Sequence, residues 1–156
     1  TQAKRCIYIV TPYFIPTDLI LNAIKVTALS GIEINLMIPE RSDTWLSHWG
    51  TMSYISELLD AGVNIYVFHK GFNHSKVLSI DGEYCIIGSA NMDTRSLEHH
   101  FEVTSILYNS KLAKTIEDQF HKDLQRCTHL SVKTWKKRAI YYRFFESLAR
   151  LLSPLL

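Results

Sequence analysis

The chain has 156 residues, of which 47% are hydrophobic, 12% aromatic and 21% charged. This composition is typical of a globular domain and excludes an intrinsically disordered chain. The formal net charge is only +2, but residues 133–156 contain six bases and one acid (Lys133, Lys136, Lys137, Arg138, Arg143, Arg150 and Glu146). Such a basic segment favours contact with an anionic surface, either a membrane or a nucleic acid.

The cysteines and the chain termini indicate the cellular compartment of the protein and its relation to a longer chain. Cys6, Cys85 and Cys127 are an odd number without CxxC spacing, which favours reduced thiols in a cytosolic setting over a disulfide framework. No apolar run reaches the roughly 18 residues of a membrane span. The sequence opens without a Met or a signal-peptide pattern, so we expect a piece of a longer protein that is soluble by itself.

The first half of the chain predicts alternating strands and helices. Apolar runs and period-two alternation predict strands, helical spacing predicts the segments between them, and Gly31 and Gly62 are natural helix ends. The predicted strands cover residues 6–10, 32–38 and 63–68, and the predicted helices cover residues 17–30 and 43–60. This order indicates an α/β sheet covered by helices.

The second half predicts a hairpin followed by a further strand and two helices. Asp81-Gly82 is a strong turn signal between strands at 75–80 and 84–87. The remaining elements are a strand at 101–108, an amphipathic helix from Ser110 to about Cys127, and a helix at 133–152 that stops at Ser153-Pro154. We therefore expect one domain with a mixed β-sheet flanked by helices. Residues 1–132 would form its catalytic unit, and residues 133–156 a basic, aromatic C-terminal helix.

The segment around His74 has the residue types that phosphate chemistry needs. On a strand, residues two apart point to the same face, so His74 and Lys76 are predicted to project side by side. The imidazole can act as a nucleophile or move a proton, and the ammonium can balance phosphoryl oxygens. The hairpin returns Ser89 and Asn91 to the same place, where they can bind phosphate.

Two carboxylates remain open between a catalytic and a structural role. Glu102, on the predicted strand at 101–108, can hold the second ring nitrogen of His74 and fix its tautomer. Asp81 either belongs to the catalytic group or is a residue of the hairpin turn.

The spacing resembles the phospholipase D superfamily, whose motif is HxKx4Dx6GSxN. His74, Lys76, Asp81, Gly88, Ser89 and Asn91 match it at every position. More closely, the chain is similar to bacterial cardiolipin synthases, in the loop Thr11–Pro16 (TPYFIP), the run Gly88–Ser96 (GSANMDTRS) and Phe101-Glu102-Val103. Asn73 and the pair His99-His100 depart from the residues usual in that family.

The resemblance implies an α/β/α sandwich and a phosphatidyltransferase that uses no metal or cofactor. Two phosphatidylglycerols would give cardiolipin and glycerol through a phosphatidyl-histidine. The family needs two such motifs and this chain holds one, so the resemblance implies a partner: an N-terminal half with the second motif, or a second copy. His74 is then expected to be the general acid and base, and the parent to work on the cytoplasmic face of the cell membrane.

Three further features keep alternatives open. Tyr13 and Phe14 follow a strand end, so they either form a substrate wall or pack in the core. The cluster Trp45, His48 and Trp49 faces lipid or, more simply, packs on the core or a partner. The basic, aromatic tail is either an interfacial helix on anionic lipid or a terminal helix packed on the domain.

Two other functions compete with lipid transfer. A nuclease of the same superfamily, acting as a homodimer, would also use His74. The TPYFIP loop and the weak charge outside the tail argue against nucleic acid as the partner. A non-catalytic module that binds anionic lipid would leave the intact motif unexplained.

Overall fold

The computed structural model describes residues 3–152, which form a central sheet with helices on both faces. The strands are β1 Cys6–Val10, β2 Phe14–Ile15, β3 Glu33–Pro39, β4 Asn64–Phe68, β5 Val77–Ile80, β6 Tyr84–Gly88, β7 Met92–Asp93, β8 Thr104–Leu107 and β9 Cys127–His129. The α-helices are α1 Asp18–Leu29, α2 Trp45–Asp60, α3 Ser110–Asp123, α4 Val132–Lys136 and α5 Ile140–Leu152. A π-helical turn covers Arg95–His99, and a 3-10 turn covers Leu124–Arg126.

The sheet is mixed, as the sequence predicts. Its seven strands run in the order β8-β6-β5-β1-β3-β4-β9. The central strands β1, β3 and β4 are parallel, and the outer strands pair antiparallel to their neighbours. A separate parallel pair, β2 with β7, ties the loop after β1 to the segment after β6. This pair brings the two loops together at one end of the sheet.

Alternation along β1 divides the core into two layers. Ile7 and Ile9 lie in a large cluster with apolar residues of α1 and α2. The intervening Tyr8 and Val10 pack in a smaller cluster with Phe120 of α3. Because successive strand residues point to opposite faces, the sheet is covered on both sides. The predicted α/β/α sandwich is confirmed.

The predicted hairpin turn is also confirmed. Asp81 and Gly82 have φ angles of 56° and 66°, left-handed values at the two central positions of the turn that the Glu83 amide closes on the Ile80 carbonyl at 3.0 Å. The hairpin pairs Ile80 with Tyr84 and Val77 with Ile87. This register returns the end of β6 to the start of β5, where His74 and Lys76 precede the strand.

The segment after α3 differs from the prediction. The helix ends at Asp123, and Cys127–His129 form strand β9, which pairs antiparallel with the edge strand β4. A sequence pattern cannot reveal this pairing, because three residues give no period and the free edge of β4 is a tertiary feature. The N-cap is Asn109, whose side chain accepts a hydrogen bond from the Leu112 amide, and not Ser110.

The single long C-terminal helix of the prediction is two helices, α4 and α5. The break at residues 137–139 is held by Arg138, which donates to the Trp135 carbonyl and forms an ion pair with Glu146. Helix α5 packs along α2 through contacts of Tyr142 and Phe145 with Trp49. The predicted stop at Ser153-Pro154 lies outside the described residues.

Candidate functional site

His74 and Lys76 lie side by side immediately before β5, and not on the strand as predicted. The strand starts at Val77 because its partner β1 ends at Val10, just before Thr11 and Pro12. The Lys76 ammonium nitrogen lies 3.1 Å from each ring nitrogen of His74 and 2.9 Å from the His74 carbonyl oxygen. The juxtaposition therefore comes from direct contact between the side chains.

The charge of Lys76 is tuned by its surroundings. Burial lowers the pKa of Lys76, and the nearby carboxylates of Glu102 and Asp93 oppose this effect without cancelling it. The imidazole of His74, by contrast, is exposed to solvent. The arrangement thus presents a reactive ring to an incoming ligand and keeps a half-buried cation against it.

Two aromatic rings hold the other sides of His74. Its ring centroid lies 5.2 Å from that of Phe72 and 6.2 Å from that of Tyr13. The Tyr13 hydroxyl donates a hydrogen bond of 2.6 Å to Asp43. Burial, followed by this hydrogen bond, raises the pKa of Tyr13 and keeps the phenol protonated. The Tyr13 ring is therefore fixed beside the site.

The sequence reasoning missed Phe72 and Asp43. Phe72 stands two residues before His74, and its only signal is an aromatic residue in the approach to the motif. Asp43 was considered only as a helix start, a place that belongs to Thr44, whose side chain accepts from the Ser47 amide. Phe14, predicted together with Tyr13 as a substrate wall, is fully buried and packs near Tyr54. For Phe14 the structure therefore agrees with the alternative of core packing, whereas Tyr13 lies beside His74.

The end of β6 brings Ser89 close to the segment that leads into β8. The Gly88 amide donates to the Lys76 carbonyl at 3.3 Å. A Cβ on Gly88 would lie 2.5 Å from the Val103 carbonyl oxygen, so only glycine permits this approach. The Val103 amide donates to the Ser89 hydroxyl at 3.0 Å. Ser89 is thus held in place by the hydrogen bond of its neighbour Gly88 to Lys76 and by the hydrogen bond of its own hydroxyl with Val103.

Glu102 takes part in this arrangement in a way that the sequence did not predict. The Ser89 hydroxyl donates a short hydrogen bond to the Glu102 carboxylate. Strand β8 begins only at Thr104, so Glu102 sits in the loop before it and its hydrogen bond goes to Ser89 rather than to His74. The orienting role predicted for Glu102 therefore needs a correction: in this structure it positions Ser89.

Asn91 lies between two cavities beside the site. Its side-chain nitrogen donates to the Ser96 hydroxyl at 3.2 Å, while its buried side-chain oxygen has no hydrogen-bond partner within residues 3–152. One cavity of about 250 Å³ contacts Asn91 and Lys76, and the other, of about 240 Å³, contacts Asn91, Tyr13 and Glu102. An unpartnered amide at this place is available to a ligand.

Asp81 is far from this group, at the other end of β5. Its buried carboxylate accepts hydrogen bonds from the backbone amides of Lys4, Arg5 and Cys6 at 2.7, 2.8 and 2.9 Å. Burial alone would raise the pKa of Asp81, but the three amides and the Arg5 guanidinium outweigh it and lower the pKa. The catalytic grouping of Asp81 is corrected: this carboxylate joins the hairpin turn to the start of β1.

Residues 3–152 contain no group of three or more His, Cys, Asp or Glu side chains placed to hold a metal ion. No helix in the same range is both long and apolar enough to cross a bilayer.

Comparison with known families identifies the chain. Residues 1–124 match the family model described as cardiolipin synthase, PLD-like domain. The chain belongs to this family. It is 47% identical to cardiolipin synthase 1 of Staphylococcus epidermidis, over 99% of this chain and 32% of the relative. It is 44% identical to the cardiolipin synthase of Halalkalibacterium halodurans, over 100% of this chain and 31% of the relative. The chain thus spans about a third of the length of these relatives.

Solved structures share the fold at low sequence identity. Nuc of Salmonella typhimurium, a phospholipase D family member, has a TM-score of 0.72 and 20% identity, with 83% of this chain and 84% of that chain covered. The phosphatidylserine synthase of Haemophilus influenzae has a TM-score of 0.76 and 16% identity, with 99% of this chain and 42% of that chain covered. These likenesses show that the fold of this chain occurs in solved structures.

Proposed function

We propose that the chain supplies one half of a phosphatidyltransferase site that makes cardiolipin and glycerol from two phosphatidylglycerols. The observation that carries the proposal is the Lys76 ammonium 3.1 Å from both ring nitrogens of an exposed His74. Such a pair suits a phosphodiester, because the cation neutralises phosphoryl charge while the imidazole transfers a proton. Relatives at 42–47% identity are named cardiolipin synthases, which supports a phospholipid as the substrate.

In the first half-reaction, a histidine of a second motif attacks the phosphorus of phosphatidylglycerol. A P–N bond forms, and the P–O bond to the head-group glycerol breaks. His74, as the imidazolium, gives its proton to the departing glycerol oxygen, so that neutral glycerol leaves. The second motif lies on an N-terminal half or on a second copy of the chain.

In the second half-reaction, His74 accepts a proton where it gave one in the first. The hydroxyl of another phosphatidylglycerol attacks the phosphorus and gives its proton to neutral His74. The P–N bond breaks, cardiolipin leaves, and both histidines return to their starting forms. Because proton donor and acceptor are the same group, an imidazole, which exists in a charged and a neutral form, suits both steps.

The residues around His74 bind the phosphate in this scheme. Lys76 contacts a non-bridging oxygen as a cation, and the Asn91 side-chain nitrogen donates to the phosphate from the other side, while Ser89 donates to it only when its hydroxyl turns away from Glu102. Glu102 holds Ser89 and adds negative charge near Lys76. Tyr13 and Phe72 limit the rotation of the His74 ring. Because both substrates are phospholipids, we place the reaction at a membrane surface, on the cytoplasmic face.

The experiment compares phosphatidylglycerol and single-stranded DNA as substrates for the complete two-motif protein and for the 156-residue chain. We expect cardiolipin and glycerol from the complete protein, no DNA cleavage, and no turnover by the strictly monomeric chain. Cleavage of DNA without lipid turnover would replace the proposal by a nuclease. Turnover of phosphatidylglycerol by the monomeric chain would disprove the need for a second motif.

A further inference from the structure

Helix α5 presents an apolar face that its own domain leaves uncovered. Ile140, Phe144 and Leu151 are 81%, 66% and 79% exposed, and Tyr141 and Leu148 lie beside them. Positions three, four and seven apart share one side of a helix, so these residues form one continuous surface. We call this surface the outer face of α5, and it consists of Ile140, Tyr141, Phe144, Leu148 and Leu151.

The opposite side of α5 accounts for its packing on the domain. Phe145 lies 5.4 Å from Trp49 and 6.0 Å from Trp45 between ring centroids, and Ala149 is buried. Arg150 forms an ion pair with Glu57 of α2 at 2.6 Å. The seam with α2 is therefore complete without the outer face, and the apolar stripe of α5 is wider than its packing requires.

The charge beside the outer face has one sign. Glu146 is the sole acid between residues 133 and 156, and it is buried against Arg138. Lys133, Lys137 and Arg143 are exposed and form no ion pair within the described part of the chain. A cavity of about 520 Å³ lies along the flank of α5 that faces α2 and α4, and it is lined by Lys136, Arg138, Arg143, Arg150 and three serines together with Asp60 and Glu146.

We propose that the outer face of α5 docks on an anionic phospholipid surface, with the neighbouring bases on lipid phosphates. An apolar helix face with Phe, Tyr and Leu between basic residues is the pattern of a helix that lies in the interface of a bilayer. Charge complementarity selects an anionic membrane over a neutral one, since uncompensated bases border the face and acids do not.

The seam between α2 and α5, on the other side of the helix, leads towards the rim of the candidate site. Trp45 is 58% exposed and contacts Phe145 at the start of α2. Asp43, two residues earlier, accepts the hydrogen bond of Tyr13, which flanks His74. The docking step itself requires no turnover, so it stands or falls independently of the proposed reaction.

The test is binding of the 156-residue chain to vesicles of phosphatidylserine mixed with phosphatidylcholine, against pure phosphatidylcholine, by co-sedimentation. The double variant Phe144→Glu/Leu148→Glu should bind the anionic vesicles about tenfold or more weakly, because two apolar contacts are replaced by charge. The control Val26→Glu/Leu29→Glu changes an apolar pair on α1 that is at least as exposed (66% and 70%, against 66% and 42%) and should bind as the parent does.

A second pair of variants tests the electrostatic part. Lys137→Gln/Arg143→Gln should weaken binding by about 25-fold, since each base near an anionic surface contributes about fivefold. Lys111→Gln/Lys122→Gln on α3 removes the same charge elsewhere and should have little effect. Added salt should weaken binding of the parent chain.

Two results would overturn the proposal. The first is unchanged vesicle binding in Phe144→Glu/Leu148→Glu while both controls also bind normally. The second is a change in self-association of that variant in sedimentation velocity without any change in vesicle binding, which would assign the outer face to a second copy of the chain.

Discussion

The two ends of strand β5 carry the two parts of one motif, and they are built in opposite ways. At one end Asp81 is buried, and its carboxylate accepts three backbone hydrogen bonds from residues 4–6. At the other end His74 is exposed, and its ring contacts Lys76 and two aromatic neighbours. A short strand of four residues separates them.

Residues of one sequence motif, such as His74 and Asp81, therefore need not share a site. Asp81 is satisfied by the fold, so substitution there should act on stability. The His74 end keeps an exposed ring, an unpartnered Asn91 oxygen and two adjoining cavities, which are the features of a place that awaits a ligand. The four substitutions below test this contrast.

The largest effect is expected at the exposed end. His74→Ala should lower phosphatidylglycerol turnover by the complete two-motif protein by about 10²–10⁴-fold, since a proton donor and acceptor is lost. The free energy of unfolding should change by less than about 0.5 kcal/mol, because an exposed side chain supports little packing. Turnover assays and urea unfolding of the same preparation measure both. A large loss of stability with activity retained per folded molecule would reverse the contrast.

The buried end should respond in the opposite way. Asp81→Asn should lower the free energy of unfolding by about 2–3 kcal/mol, because hydrogen bonds to a charged acceptor are weakened. Activity per folded molecule should be kept. Urea unfolding monitored by circular dichroism gives the first value, and turnover corrected for folded fraction gives the second. Loss of turnover in fully folded protein would place Asp81 in the chemistry after all.

The same variant has a predicted pH signature. The folded pKa of Asp81 is lower than its unfolded value of about 3.9, so the unfolded state binds more protons between the two values. The stabilisation is therefore present above about pH 4 and is lost as the pH falls through the folded pKa. The stability gap between Asp81→Asn and the parent should shrink in acid. A gap that stays constant from pH 7 down to acid unfolding would contradict this account.

Gly88→Ala tests the close approach between the end of β6 and the backbone of Val103 and Thr104. The added Cβ would lie within 3 Å of the Val103 oxygen and of the Thr104 backbone, which cannot move aside cheaply. We expect a loss of about 1–3 kcal/mol, together with displacement of Ser89. Thermal unfolding measures the loss. Ala90→Gly, two residues on, is the control for a general effect of the loop, and an equal loss there would argue against a specific contact.

The smallest effect is expected at the hairpin turn. Gly82 has φ +66°, and its added Cβ would meet nothing closer than 3.4 Å, so Gly82→Ala should cost only the strain of the left-handed conformation, about 1 kcal/mol. Gly82→Asn should cost less, since Asn tolerates this region. Urea unfolding of both variants distinguishes backbone strain from crowding. A larger loss for Asn than for Ala would indicate crowding by Glu117.

Sequence reasoning recovered the features that repeat along the chain. The apolar run of β1, the end of α1 before Gly31 and the Asp81-Gly82 turn are local, so they can be read from the residues themselves. Strand β9 and the placement of Phe14 could not be predicted from the sequence. The first depends on the free edge of β4 and the second on which layer of the core is open, and both are features of the folded molecule. The partners of Glu102 likewise depend on where β8 begins, which its pairing with β6 decides.

The site was predicted in outline for the same reason. His74, Lys76, Ser89 and Asn91 are close in sequence on either side of a hairpin, so their meeting follows from a turn that the sequence specifies. Asp43 and Phe72, which were not predicted, reach the site from loops after β3 and β4. Their position at the site depends on the packing of the whole sheet. A single residue in a loop has no hydrophobic periodicity from which this position could be predicted.

The central claim is that His74 moves the proton while a histidine of a second motif carries the phosphatidyl group. The most direct measurement is rapid denaturation of the complete protein during turnover of labelled phosphatidylglycerol, at alkaline pH, followed by digestion and mass spectrometry of the labelled histidine peptide. The account predicts a phosphatidyl group on a histidine outside this chain's His74 peptide when the second motif lies on an N-terminal half. A phosphatidyl group on His74 itself would contradict it.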